Sequence, residues 1–91
     1  MQGYYYGTTT KENIKIGEEA TTPIFYNTQD GFTVTKSVLS AMYFAGRKVE
    51  KLGGHPIVYS VEPINDLKFL QNNEFLCTSL HILDEVRDFA V

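Results

Sequence analysis

Few residues of this chain have a type and spacing that could do chemistry. His55 and His81 each stand alone, and neither reads as a metal ligand or as half of a catalytic pair. Cys77 is the one cysteine, so there is neither an internal disulfide nor a pair of thiolates for zinc. No glycine-rich phosphate loop and no serine nucleophile elbow occur. Glu18, Glu19, Glu85 and Asp88 read as solvated carboxylates. What remains is an aromatic run, Tyr4-Tyr5-Tyr6, closed by Gly7 and then by Thr8-Thr9-Thr10. Such tyrosines offer flat faces for stacking and phenols that stay neutral hydrogen-bond donors at pH 7.

The elements that must position these groups can be read from periodicity. Gly3 to Gly7 reads as a short strand entering a loop, with Tyr5 facing away from Tyr4 and Tyr6. Lys11 to Thr22 reads as a turn-rich excursion with a short extended piece at Ile14–Ile16. A short strand is expected over Pro23–Asn27, a turn at Asp30-Gly31 and a strand over Phe32–Thr35. Val38, Ala41, Met42, Ala45, Val49 and Leu52 recur at helical spacing, which predicts a helix over Lys36–Leu52 with Val38, Met42, Ala45 and Val49 in the core. Thr35 is the expected N-cap, Gly53-Gly54 the stop, and Arg47, Lys48 and Lys51 suit the C-terminal dipole. Ile57–Val61 is a strand expected to end at Glu62-Pro63, Asp66–Leu70 a helical turn, and Glu74–Cys77 a strand. Leu80–Val91 is a strand whose mixed periodicity predicts a bulge. Strands, one helix and strands again make an α+β pattern.

Composition bounds the function. Ninety-one residues make one domain, 1–91, and 43% hydrophobic content with six Tyr and six Phe can fill one core. A net charge of -3 disfavours a nucleic-acid groove, which needs clustered Lys and Arg. No apolar run is long enough to span a membrane, and the N-terminus lacks the pattern of a secretory signal. A cytoplasmic protein without nucleic-acid or membrane partners is the expectation.

Four segments, in order, resemble the rifampin ADP-ribosyltransferases. Tyr4-Tyr5-Tyr6-Gly7-Thr8, with Ile14-Lys15-Ile16-Gly17-Glu18 after it, is similar to the family's aromatic-aromatic-His-Gly-Thr strand and the loop that follows. Thr33-Val34-Thr35 leading into Ala41-Met42-Tyr43 and Ala45 resembles its Tyr-x-Thr strand and helix. Ile57-Val58-Tyr59-Ser60-Val61-Glu62-Pro63 is similar to its Ile-Phe-Ile-Val-Glu-Pro strand, and Ser79 to Phe89 to its closing strand. Members of the family are longer between the last two segments. The resemblance implies a small split β-sheet packed around one main helix.

It also implies a chemistry, the cleavage of the nicotinamide–ribose bond of NAD and transfer of ADP-ribose to an acceptor. NAD is then the substrate, and the acceptor is a small molecule or a protein. By the same resemblance Gly7 and Thr8 would hold the carboxamide through the backbone, since close approach tolerates no Cβ. Tyr6 stands where the family has its ribose-binding His, and Thr33 where it has the Tyr that stacks on nicotinamide. Tyr43 matches a family aromatic that could cover the ring. Glu74, opening a strand, is the preferred catalytic carboxylate, with Asp66 the alternative. An acceptor would meet the loops at Thr9–Glu12 and Asn27–Asp30. Two function classes follow. One is an active transferase with an unusual first-strand Tyr. The other is a catalytically silent relative that binds NAD, ADP-ribose or a protein, of a size suited to an accessory protein of a phage or mobile element.

Overall fold

The computed structural model describes residues 3–12, 14–21, 32–65, 67–71 and 73–87. Seven strands and one helix follow in the order β1 (Tyr4–Thr9), β2 (Glu19–Thr21), β3 (Phe32–Thr35), α1 (Val38–Leu52), β4 (Pro56–Asn65), β5 (Lys68–Gln71), β6 (Glu74–Cys77) and β7 (Ser79–Glu85). They form one antiparallel sheet ordered β2-β7-β4-β1-β3-β6-β5, with α1 packed on one side of it. The α+β class and the single main helix stand as the sequence predicts.

The sheet is split along β1. On one side β1 pairs with β4 over six residues, from Tyr4↔Val61 to Thr9↔Pro56. On the other it meets β3 through one pair, Tyr5↔Thr35. Beyond Tyr5 that flank of β1 has no strand partner among the described residues. The sheet also curls, bringing β6 towards β4 although two strands lie between them.

Alternation along β1 divides the interior in two. Tyr6 faces a large apolar core with Phe32, Val34, Tyr59, Val61, Cys77, Leu80 and Ile82, bordered by Tyr4 and Phe75. Tyr5 faces the other way, onto a small core of Ala41, Ala45 and Val58 beneath α1. The predicted opposition of Tyr5 to Tyr4 and Tyr6 is therefore met. Aromatic edges set the larger core, with Tyr6 on Phe32 and Tyr4 on Phe75 in T-shaped pairs at 5.3 and 5.5 Å. Full burial of a Phe, Leu or Ile there stabilises the fold by roughly 1.5–3 kcal/mol each.

Several elements differ from expectation. β1 runs through Gly7 to Thr9 instead of ending at Gly7, because Thr8 and Thr9 continue the ladder opposite Ile57 and Pro56, and the missing Cβ of Gly7 lets α1 lie on the strand. A Cβ at Gly7 would overlap the carbonyl oxygen of Ala41 and stand 3.1 Å from the Ala45 nitrogen. The helix starts at Val38, capped by Ser37, whose hydroxyl accepts from the Ser40 N–H at 3.2 Å. Thr35 instead accepts the Ser37 N–H at 3.1 Å. Gly53 stops the helix as predicted, at φ 82° and with its N–H on the Val49 carbonyl at 2.8 Å. Met42 lies outside the core at 39% exposed, while Ala41 and Ala45 are buried. Small residues face the sheet because α1 sits so close to Gly7.

β4 continues past Pro63 to Asn65. Pro63 lies beyond the last pair with β1, where among the described residues only β7 borders the strand and a register shift follows, so its missing N–H is tolerated. Segment 68–71 is a strand rather than a helical turn, paired with β6 through Gln71↔Glu74. The predicted bulge is present in β7, where Ser60↔Asp84 is followed by Val61↔Ile82 and Leu83 has no opposite residue. Within Lys11–Thr22 the extended stretch falls at Glu19–Thr21, paired with β7. The expected strand over Pro23–Asn27, the turn at Asp30-Gly31, the loop Asn27–Asp30, Asp66 and the end of the last strand lie outside the described residues. No described helix is long and apolar enough to cross a membrane.

Candidate functional site

The polar groups that converge in this molecule do so at the split beside β1. The chain leaves β1 in a tight turn, with the Glu12 N–H on the Thr9 carbonyl at 3.0 Å and the Ile14 N–H on the Glu12 carbonyl at 2.9 Å. This turn folds Glu12 back under the strand, where it is 5% exposed. Its carboxylate accepts the Tyr6 hydroxyl at 2.9 and 3.2 Å on its two oxygens, and Thr8 Oγ1 donates to the same group. Tyr6 and Thr8, two residues apart on one face of β1, therefore share one buried acceptor.

Lys48 supplies the counter-charge from α1. Its Nζ donates to the Tyr6 hydroxyl at 2.6 Å, lies 4.1 Å from the centre of the Tyr6 ring and stands 3.8 Å from Glu12 Oε1. The open flank of β1 is what allows a side chain from the helix side to reach the opposite face. Burial pulls the Lys48 ammonium down to about 8, against the Glu12 carboxylate, which raises it. Tyr59, beside Tyr6 in the ladder, is pushed upward by burial and then by Glu85 and Glu12. The arrangement is a closed knot, not an open basin: every buried side-chain nitrogen and oxygen among the described residues has a partner. Its polar bonds organise the interior and leave the Tyr6 phenol, at 1% exposed, no approach from solvent.

The sequence-predicted site residues fall in separate places. Tyr6 and Thr8 are brought together, but at Glu12, and Tyr6 does not line a cleft as expected. Its ring fills the core because the strand's inward face has a Phe32-lined space for it. Gly7, expected to hold a carboxamide through its bare backbone, is approached instead by the backbone of α1 at Ala41 and Ala45. Thr33 and Glu74 lie on the face of the sheet opposite Tyr6. Glu74 pairs with Thr35, which pairs with Tyr5, and cross-strand partners share a face. Tyr43 is 61% exposed on the outside of α1, about 200° around the helix from Ala41 and from Ala45, which face Gly7. Asp66 lies outside the described residues.

Glu12 and Lys48 are the members that sequence reasoning missed. From the sequence, Glu12 is expected in a loop facing an acceptor and Lys48 as a helix-end charge that suits the dipole. Nothing in local spacing marks either, since the two meet across 36 positions of sequence only after α1 docks on β1. Among the described residues no cluster of His, Cys, Asp and Glu could hold a metal ion. Cys77 is buried, and burial pushes its thiol up to about 11, away from nucleophilic chemistry. No protein-family model and no curated protein matches the chain.

Proposed function

We propose that this chain is a catalytically silent ADP-ribosyltransferase-like protein that works in the cytoplasm by binding another protein. The observation that carries the reading is the state of Tyr6. It stands where the resemblance puts the ribose-binding residue, yet its phenol is buried and bonded to Glu12 and Lys48. Two further observations support it. Gly7, whose bare backbone would hold the carboxamide, is covered by Ala41 and Ala45. Glu74, which would stabilise the developing cation, belongs to the face of the sheet away from the Tyr6 ring. Transfer needs these groups converging on one ribose, and a misplacement of about 1 Å already costs roughly a hundredfold.

The experiment is release of nicotinamide from NAD by the wild type, Tyr6→His and Glu74→Ala. All three are expected to give the rate of the buffer blank. Restoring the family's histidine does not help while Gly7 remains covered. NAD and ADP-ribose are likewise expected to leave the melting temperature unchanged, where a bound ligand at ~100 times its dissociation constant would add about 2.7 kcal/mol. Turnover by the wild type that disappears in Glu74→Ala would return the chain to the active class.

A further inference from the structure

The connection from β1 to β2 runs along the face of the sheet opposite α1. It leaves β1 by the turn that buries Glu12, sets Ile14 against the large core and reaches the flank of β7 at Gly17 and Glu18. There the Gly17 N–H donates to the Ile82 carbonyl at 2.8 Å, and the Ile82 N–H donates to the Glu18 carbonyl at 2.9 Å. Gly17, at φ 89°, makes a bend that glycine adopts without strain.

This connection is held unevenly. Lys15, Ile16, Gly17 and Glu18 are exposed, and Ile14 is half-buried. Among its described residues only Glu12 is buried. A segment with so little apolar surface packed beneath it opens at lower cost than the ladders it covers.

What holds Glu12 comes from the other side of the sheet. Lys48 belongs to α1, and its Nζ passes the open flank of β1 to stand 3.8 Å from Glu12 Oε1 and 2.6 Å from the Tyr6 hydroxyl. The two partners are unequally mounted. Lys48 rides on a 15-residue helix seated closely on Gly7, whereas Glu12 rides on a short, exposed connection. A buried carboxylate that loses its counter-charge is costly, and the easiest relief is for the connection to swing out and hydrate Glu12. We infer that Glu12 and residues 14–18 form a strap over the Tyr6 face that opens as a unit, with Lys48 of α1 as its latch. The seat of the helix on one face of the sheet thereby sets the closure of the strap on the other, and opening removes the carboxylate that caps the Tyr6 hydroxyl. This motion is independent of the function proposed above, and the NAD assay does not bear on it.

The test is native-state hydrogen exchange on the intact chain. The Gly17 and Ile82 amides report the strap, while the β1–β4 ladder and α1 report the body. In the wild type the two strap amides are expected to share one opening equilibrium and to be at least about tenfold less protected than the body. Lys48→Met is expected to lower their protection at least about tenfold further relative to the body. Glu12→Gln/Lys48→Met, which leaves no charge in the knot, should bring back most of that loss. Ile14→Ala, which leaves the knot intact, should loosen the strap amides alone. Equal protection of strap and body in the wild type would overturn the proposal, because the segment would then open only with the whole fold. An unchanged strap-to-body ratio in Lys48→Met would do the same. So would loss of folding in Lys48→Met, since the stranded carboxylate would then be relieved by the whole fold and not by the strap.

Discussion

The two sides of β1 solve opposite problems with neighbouring residues. Towards α1 the strand presents Gly7, and the contact is built from Ala41, Ala45 and Val58 with Tyr5 beside them, while the Thr9 hydroxyl donates to the Gly53 carbonyl at the end of the helix. Away from α1 it presents Tyr6 and Thr8, whose hydroxyls hold a buried carboxylate answered by Lys48. The first side depends on the absence of atoms, the second on satisfying every polar atom present. A shape-based contact tolerates no addition. In a polar knot each removal strips a buried neighbour of one of its bonds, and removal of a charge leaves the opposite charge buried.

Gly7→Val should break the comparison outright. Any Cβ there displaces α1, so a loss above about 4 kcal/mol is expected, close to the whole stability of a small domain. Loss of cooperative urea unfolding and of helical circular dichroism checks it. A folded Gly7→Val would mean that α1 can lift off the strand, and would reopen the covered backbone.

Glu12→Ala should come next. Removing one member of a buried ion pair costs about 3–5 kcal/mol, because the Lys48 ammonium stays behind. The double variant Glu12→Ala/Lys48→Met removes both charges and should recover much of that loss. Equal destabilisation by single and double variants in urea would show that the hydroxyl bonds, not the charges, hold the knot.

The pH dependence isolates Lys48 with a smaller effect. Its ammonium sits at about 8 in the fold against 10.5 for the ordinary group. Between those values the unfolded chain binds the extra proton, so stability rises with pH, by at most about 1.4 kcal/mol per unit. Cys77, raised from 9.0 to about 11, works in the opposite direction above pH 9. Urea midpoints should therefore increase from pH 8 to pH 9, level off above it, and fall above about 10, where Tyr59, raised from 10.0 by burial, acts in the same direction as Cys77. A decrease between 8 and 9 would mean that Glu12 and Tyr6 outweigh the burial of Lys48.

The smallest effects belong to the outer side of α1. Met42→Asp, damaging if the whole apolar stripe were core, should change stability by no more than about 0.5 kcal/mol, read from the urea midpoint. Gly46→Ala should raise it by up to about 1 kcal/mol, since an added methyl meets open space. A large loss in either variant would place that face against the chain itself.

Legibility followed the range of the interaction. The helix, its glycine stop, the alternation of Tyr5 against Tyr4 and Tyr6, and the strands at Phe32–Thr35 and Glu74–Cys77 are local patterns, and the sequence contained them. The β5–β6 hairpin was signalled too, by Asn72-Asn73 between two β-prone runs, and was misread because Asp66–Leu70 also suits a helical turn. Which half of the apolar stripe faces the sheet was not local. It depends on how closely α1 approaches β1, which selects Ala41 and Ala45 for the interior and leaves Met42 and Tyr43 outside.

For the site, sequence alone determined the alternation that sets Tyr6 against Tyr5 on β1. It determined the class of the fold for the same reason, because hydrophobic period and turn residues act over a few positions. Only the tertiary structure decided that the neighbour of Gly7 is the protein's own helix, and that Glu12 and Lys48 meet at the Tyr6 hydroxyl. A charge's solvation and partner depend on what packs around it in space. Residues 36 positions apart acquire that relation only when the chain has closed.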